Sequence, residues 1–182
     1  MTRLEETLIH LDDFFQEQKI NYAVIGGVAV ILHGLQRTTQ DIDVTIAAEI
    51  EQLKPIAEKI LKKFNPKKTN PIEFFERYFV LPVADTNTDV GIDISAGLGG
   101  FDKHVLKRSV KQSFAGRMIP CCTIEDLIIY KIAAKRNRDI SDVEFLFKLH
   151  RDELDTKYLL KIAKSFVELE RSDVLETLQK YL

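Results

Sequence analysis

The chain has 182 residues, 45% hydrophobic and 30% charged, enough to bury one core without disulfides or a structural metal. Its 26 basic and 28 acidic side chains give a net charge of −2, which excludes a protein that coats nucleic acid through a basic excess but allows a local basic cleft. No run approaches the ~18 apolar residues of a membrane span, and acids follow Met1 where a leader would carry basic residues, so no membrane partner is expected. Cys121 and Cys122 are neighbours, a poor geometry for a disulfide and, without nearby histidines, for zinc. A reducing, cytoplasmic setting is expected.

Leu4, Leu8, Leu11 and Phe14/Phe15 form a helical stripe over 2–18. Tyr22 to Ile25 reads as a buried strand stopped by Gly26-Gly27, followed by a short helix over 28–33 that ends near Gly34. After a polar loop at 36–40, Ile42, Val44 and Ile46 alternate with Asp41, Asp43 and Thr45, the period of a half-buried strand. A helix is expected over 49–64, with Pro55 as a kink, then a basic, proline-bearing loop at 65–71. Two strands follow at 75–83 and 88–95 around the turn Asp85–Thr88. Next come a turn at 97–100, a basic helix at 101–108 and a hairpin centred on Ala115-Gly116 that ends at Pro120. The remainder reads as helices at 123–136, 140–150, 156–169 and 172–181, the first capped by Thr123. The pattern predicts an α+β fold: a small mixed sheet of four or five strands flanked by helices, with a helical C-terminal third. Residues 1–120 are expected as the core and 121–182 as a helical region packed on it.

The chemistry concentrates at Gly26-Gly27 and, after thirteen intervening residues, Asp41-Ile42-Asp43. On a strand, residues i and i+2 share a face, so Asp41 and Asp43 project side by side and repel. A divalent cation removes that repulsion, and Mg²⁺ suits one or two carboxylates completed by phosphates and waters. Gly26 and Gly27, at a strand-to-helix turn, offer backbone N–H groups and close approach to a phosphate. Asp93, among Val90, Ile92 and Ile94, is an acid too costly to bury unpaired, and would complete a two-metal site that clamps both oxygens of an in-line displacement.

Gly26-Gly27, Asp41-x-Asp43 and Asp93 together resemble the signature of the DNA polymerase β-like nucleotidyltransferase superfamily. The strings Ile25–Gly34 and Arg37–Asp43, with Glu125–Lys131 and Lys135–Asp142, resemble its minimal branch of abortive-infection toxins and aminoglycoside or lincosamide nucleotidyltransferases. The resemblance covers about Tyr22 to Leu149. It implies a nucleotidyltransferase fold and a Mg²⁺-dependent transfer of NMP from an NTP, such as ATP, to a tRNA end, a protein or a small molecule. A toxin role with an antitoxin partner is a further implication. Gly26, Gly27, Arg37, Arg138 and Asp139 would bind the nucleotide, and Asp41, Asp43 and Asp93 the metal. Lys131 would join those acids as a catalytic residue. Many members of the superfamily carry Gly-Ser where this chain has Gly26-Gly27, which removes one hydroxyl contact.

Each residue also has a plainer reading. Arg37 would neutralise the Asp41–Asp43 pair, and Asp139 and Asp142 would cap a helix starting near Ile140. Lys135 belongs to a solvated face and His33 to helix-end packing, and the basic stretch Lys59–Lys68 is expected as solvated helix end and loop. Lys131 differs, because it interrupts the apolar run Leu127–Ala134 and so calls for a directed contact. A catalytically inactive binding module of the same fold is the competing functional expectation. A dinucleotide-binding reading fails for want of G-x-G-x-x-G spacing.

Overall fold

The computed structural model describes residues 1–182. Helix α1 (Arg3–Gln18) opens with a full capping box, Thr2 accepting from the Glu5 N–H and Glu5 accepting in return. Strand β1 (Tyr22–Ile25) runs into α2 (Gly26–Leu32), and β2 (Asp41–Ile46) follows. A one-turn 3₁₀ segment at Ile50–Gln52 leads to α3 (Leu53–Ile60), β3 (Phe64–Pro66), α4 (Pro71–Tyr78), β4 (Val80–Asp85) and β5 (Gly91–Ala96). After α5 (Gly100–Arg108), a hairpin joins β6 (Val110–Phe114) to β7 (Arg117–Cys121). The chain ends in α6 (Ile124–Ala134), α7 (Asn137–His150), α8 (Thr156–Val167) and α9 (Ser172–Leu178).

All seven strands join one mixed sheet in the order β3-β4-β5-β2-β1-β7-β6. That is wider than the four or five strands expected, because β3 joins at one edge and the hairpin β6–β7 at the other. The helix expected to reach 64 stops at Ile60, and Phe64–Pro66 pairs with β4 where a loop was expected. Residues 75–78, expected as the start of the strand 75–83, fall instead in α4, which begins at Pro71 where the expected loop ends. Pro71 sits at its first position, and Phe74 and Tyr78, four residues apart, bring their ring centroids within 4.6 Å. Pro55 lies in the first turn of α3, where a missing N–H costs nothing. The hairpin turn is placed as expected, Ala115 and Gly116 both taking positive φ (48° and 80°).

One hydrophobic cluster runs from α1 through the sheet into α6 to α9, including Leu11, Phe15, Val44, Ile94, Ile128 and Leu159. His33 packs within it, its Nε2 2.8 Å from the Cys122 carbonyl oxygen. Cys121 and Cys122 are buried free thiols. No helix is long and apolar enough to cross a membrane.

Candidate active site

Parallel pairing of β2 with β5 sets Asp41 opposite Gly91 and Asp43 opposite Asp93. Residues in register on neighbouring strands share a face, so Asp41, Asp43 and Asp93 leave the centre of the sheet together. Burial and then the charge of Asp41 hold the carboxyl of Asp43 above the ordinary carboxylate value, against the Gly27 N–H that lowers it. Asp93 is raised by the same two causes in the same order, and Lys67 and Lys68 pull it back. Like charges are thus concentrated here rather than neutralised.

The glycine pair is fitted to these acids. Gly26 adopts φ +63°, and a Cβ there would overlap the carboxylate of Asp43. The Gly27 N–H donates to Asp43 Oδ2 at 3.4 Å, and a Cβ on Gly27 would stand 2.6 Å from Thr39 Oγ1 and 2.9 Å from Arg37 Nη2. Thr39 in turn donates to Asp41 Oδ1 at 3.2 Å. The glycines therefore admit side chains from both sides, a packing duty additional to any N–H they offer a ligand.

The facing wall comes from α6 and α7. Lys131 is 5% exposed, its Nζ 2.8 Å from Asp139 Oδ1 and 2.9 Å from Asp142 Oδ2. Asp139 also accepts from Arg136, from Nε at 2.7 Å and from the backbone N–H at 3.3 Å. Burial alone would raise the Asp139 carboxyl, but the hydrogen bonds from Arg136 and Lys131 hold it below the ordinary value. Asp139 thus does serve as a cap, but of a helix that starts at Asn137 rather than Ile140. Asp142 lies inside α7 and caps nothing. Arg37 pairs with Asp142 at 3.5 Å rather than with the Asp41–Asp43 pair, and its Nε and Nη1 are buried without a partner. Arg138 donates to the Thr38 carbonyl, tying α7 to the loop before β2.

Between the walls lies a cleft of about 230 Å³ with no hydrophobic lining residue, into which Gly27, Arg37, Asp41, Asp43, Asp93, Lys131, Arg138 and Asp139 all face. Gly26 sits directly behind Asp43. Thr39 and Arg136 also line the cleft, and sequence reasoning missed both. Lys67 was read as solvated loop, yet its ammonium lies over Gly91 beside Asp41, where a Cβ on Gly91 would overlap it. The pairing of β3 brings it there, and that strand was the part of the sheet hidden from the sequence. Lys135, by contrast, is 55% exposed on the solvated face expected of it.

The three carboxylates do not close into a preformed metal cage. Their chemistry nonetheless suits Mg²⁺, which takes few protein oxygens and leaves its remaining positions to phosphates and water.

A mixed sheet bearing acids on two central strands, with a glycine turn beside them and a helical wall opposite, defines the nucleotidyltransferase class of enzyme. The chain belongs to the family described as "Nucleotidyltransferase of unknown function (DUF6036)", whose pattern matches residues 2–180. Among solved structures it is similar to the antibiotic-resistance factor ANT(2'')-Ia in solution (17% identity, 94% of this chain and 98% of that one, TM-score 0.61). It is also similar to the lincosamide antibiotic adenylyltransferase LnuA, bound to lincomycin (17% identity, 80% and 96% covered, TM-score 0.55). A third is an antigenic nucleotidyltransferase-like protein from Paracoccidioides brasiliensis (17% identity, 97% and 92% covered, TM-score 0.57). At these identities the likeness is one of fold. No curated protein matches the chain.

Proposed function

We propose that this nucleotidyltransferase moves an NMP from an NTP to an acceptor hydroxyl, using Mg²⁺ held by Asp41, Asp43 and Asp93, in a cytoplasmic setting. The observation that carries the reading is the stack of Asp43 against Asp93 in neighbouring strands, both carboxyls held above their ordinary value, beside a glycine pair shaped around Asp43. Folding tolerates such a stack when a cationic complex is its partner. Bound there, the metal would supply charge neutralisation and would hold the phosphate chain in place. The unpartnered Nε and Nη1 of Arg37 suit a phosphate oxygen, and Gly27 and Arg138 line the same cleft, with Gly26 set against Asp43 at its floor.

In this reading Lys131 stabilises charge on the departing pyrophosphate while holding Asp139 and Asp142 in place. Asp93 accepts the proton of the attacking hydroxyl. The new bond joins the acceptor oxygen to the α-phosphorus, and the bond to the bridging oxygen breaks in line, so the protein contributes position and electrostatics. Residues 1–120 act as the catalytic core, and 121–182 as the helical region that closes the cleft. The presence of all three acids speaks against an inactive module, since a decayed site has no need of them.

Calorimetry with each NTP tests the donor half. Binding should require Mg²⁺ and vanish in Asp41→Ala; metal-independent binding, or binding unchanged in that variant, defeats the reading. Incubation with labelled NTP and a panel of RNA, protein and small molecules then tests transfer.

A further inference from the structure

The acids are flanked by cations on both sides. Arg37, Lys131 and Arg138 stand on the side given above to the donor. The opposite flank is reached along one row of the sheet. Asp93 faces Pro82 on β4, and the Pro82 carbonyl accepts from the Lys67 N–H at 3.0 Å. At ~4.8 Å between strands, Lys67 is roughly 10 Å from Asp93 on the same face. Immediately beyond it, the loop 68–70 and α4 enclose a pocket of about 250 Å³ lined by Lys68, Phe74, Arg77 and Tyr78 among others.

We propose that this pocket is the acceptor subsite and that it takes a nucleotide unit, base on the rings and phosphate on the cations. The proposal rests on the transferase reading of the acids. Phe74 and Tyr78 stand 4.6 Å apart between ring centroids, and Tyr78 is 53% exposed, an aromatic face the core does not use. Lys68 Nζ lies 5.1 Å from the Phe74 ring and the Arg77 guanidinium 5.4 Å from that of Tyr78. Rings and cations alternating on one exposed surface are how single nucleotides are held without sequence readout. The one acid lining the pocket, Glu73, accepts from Asn70 Nδ2 at 3.4 Å. A polycationic acceptor would meet like charge here, and a neutral one would leave the pocket's two cations, Lys68 and Arg77, without purpose. The unit's hydroxyl oxygen bonds to the α-phosphorus, pyrophosphate leaves with the electron pair of the broken bond, and the hydroxyl proton passes to Asp93.

The unit is either a free nucleotide or the 3′ end of a single-stranded RNA, and one experiment separates them. Full-length protein is titrated against a short oligoribonucleotide, labelled at its 5′ end with a free 3′ hydroxyl, and read by fluorescence anisotropy with a nucleoside monophosphate as competitor. Lys68→Glu with Arg77→Glu should weaken binding about tenfold and flatten its salt dependence. Tyr78→Ala, at an exposed position that does not threaten the fold, should weaken it about fivefold or more. Competition at equal concentration identifies a free nucleotide as the unit, and failure to compete identifies the RNA end.

No binding by the unaltered protein overturns the proposal, as do variants that bind as it does. So does an equal loss of NTP affinity in the variants, which would make the pocket part of the donor site. If oligonucleotide binding follows the expected pattern but no label is transferred, the catalytic reading fails and the pocket stands. Transfer to an uncharged acceptor, undiminished by the charge reversals, removes the subsite alone.

Discussion

On the sheet wall of the cleft, Asp43 and Asp93 lie in register with like charge beside like charge. On the helix wall, Asp139 and Asp142 share Lys131 between them and add Arg136 and Arg37 as partners. Both walls are built from buried or half-buried aspartates. One wall pairs its acids with cations and the other sets acid against acid, and that contrast separates framework from reactive surface. A satisfied charge network fixes geometry, whereas an unsatisfied one stores affinity for something of opposite sign.

The sharpest way to break the comparison is to neutralise one member on each wall. Asp43→Asn should cut transfer by about 10³-fold while leaving thermal stability equal or higher, because it removes repulsion from the fold. A drop in melting temperature would show that the sheet acids are framework after all. Lys131→Ala should cost about 3 kcal/mol of stability in denaturant unfolding, since it strands two buried carboxylates. A variant as stable as the parent would show that the helix wall is not held by its ion pairs.

Gly26→Ala should lose about 2 kcal/mol through the left-handed backbone and should displace Asp43, lowering Mg²⁺-dependent NTP binding as well. Combining it with Asp43→Ala should recover part of the stability but none of the binding.

The finest discrimination is by pH, where the walls have opposite sign. The Asp43 carboxyl is raised when folded, so its contribution to stability is full below the ordinary 3.8 and is lost as pH rises through its folded value. The Asp139 carboxyl is lowered, so its contribution is present above 3.8 and is lost as pH falls through its folded value. Melting curves should show Asp43→Asn gaining on the parent as pH rises above 3.8. The deficit of Asp139→Asn should shrink as pH falls below it. Parallel curves would erase the distinction between the walls.

The sheet wall was legible in the sequence because a two-residue period and two glycines are local signals. Asp41 and Asp43 could be put on one face from alternation alone, whereas Asp93 was picked out by its apolar neighbours and reaches that face only through the register of β5 on β2. The helix wall was legible only in part. Lys131 stood out by interrupting an apolar run, but its partners lie in another helix, and no local pattern assigns Asp142 to Lys131 rather than to a cap. A strand was expected from residue 75, and the Pro71 start signal and the Phe74–Tyr78 spacing prevailed because tertiary packing on β4 rewards a helix there. Missing that helix concealed β3, and with it the placement of Lys67.

The register of β2 against β5 has a consequence for how the site can change. The separation of Asp43 from Asp93 is set by the spacing between hydrogen-bonded strands, which no small adjustment of side chains alters. A slip of β2 by one residue would swing Asp41 and Asp43 into the core and turn Ile42 and Val44 out to the cleft face, so intermediate geometries are closed off. The acids can be lost by replacement but not by gradual drift. The loops and helices around the acids, α4 among them, carry no such constraint and can change without touching the sheet that sets the acids' spacing.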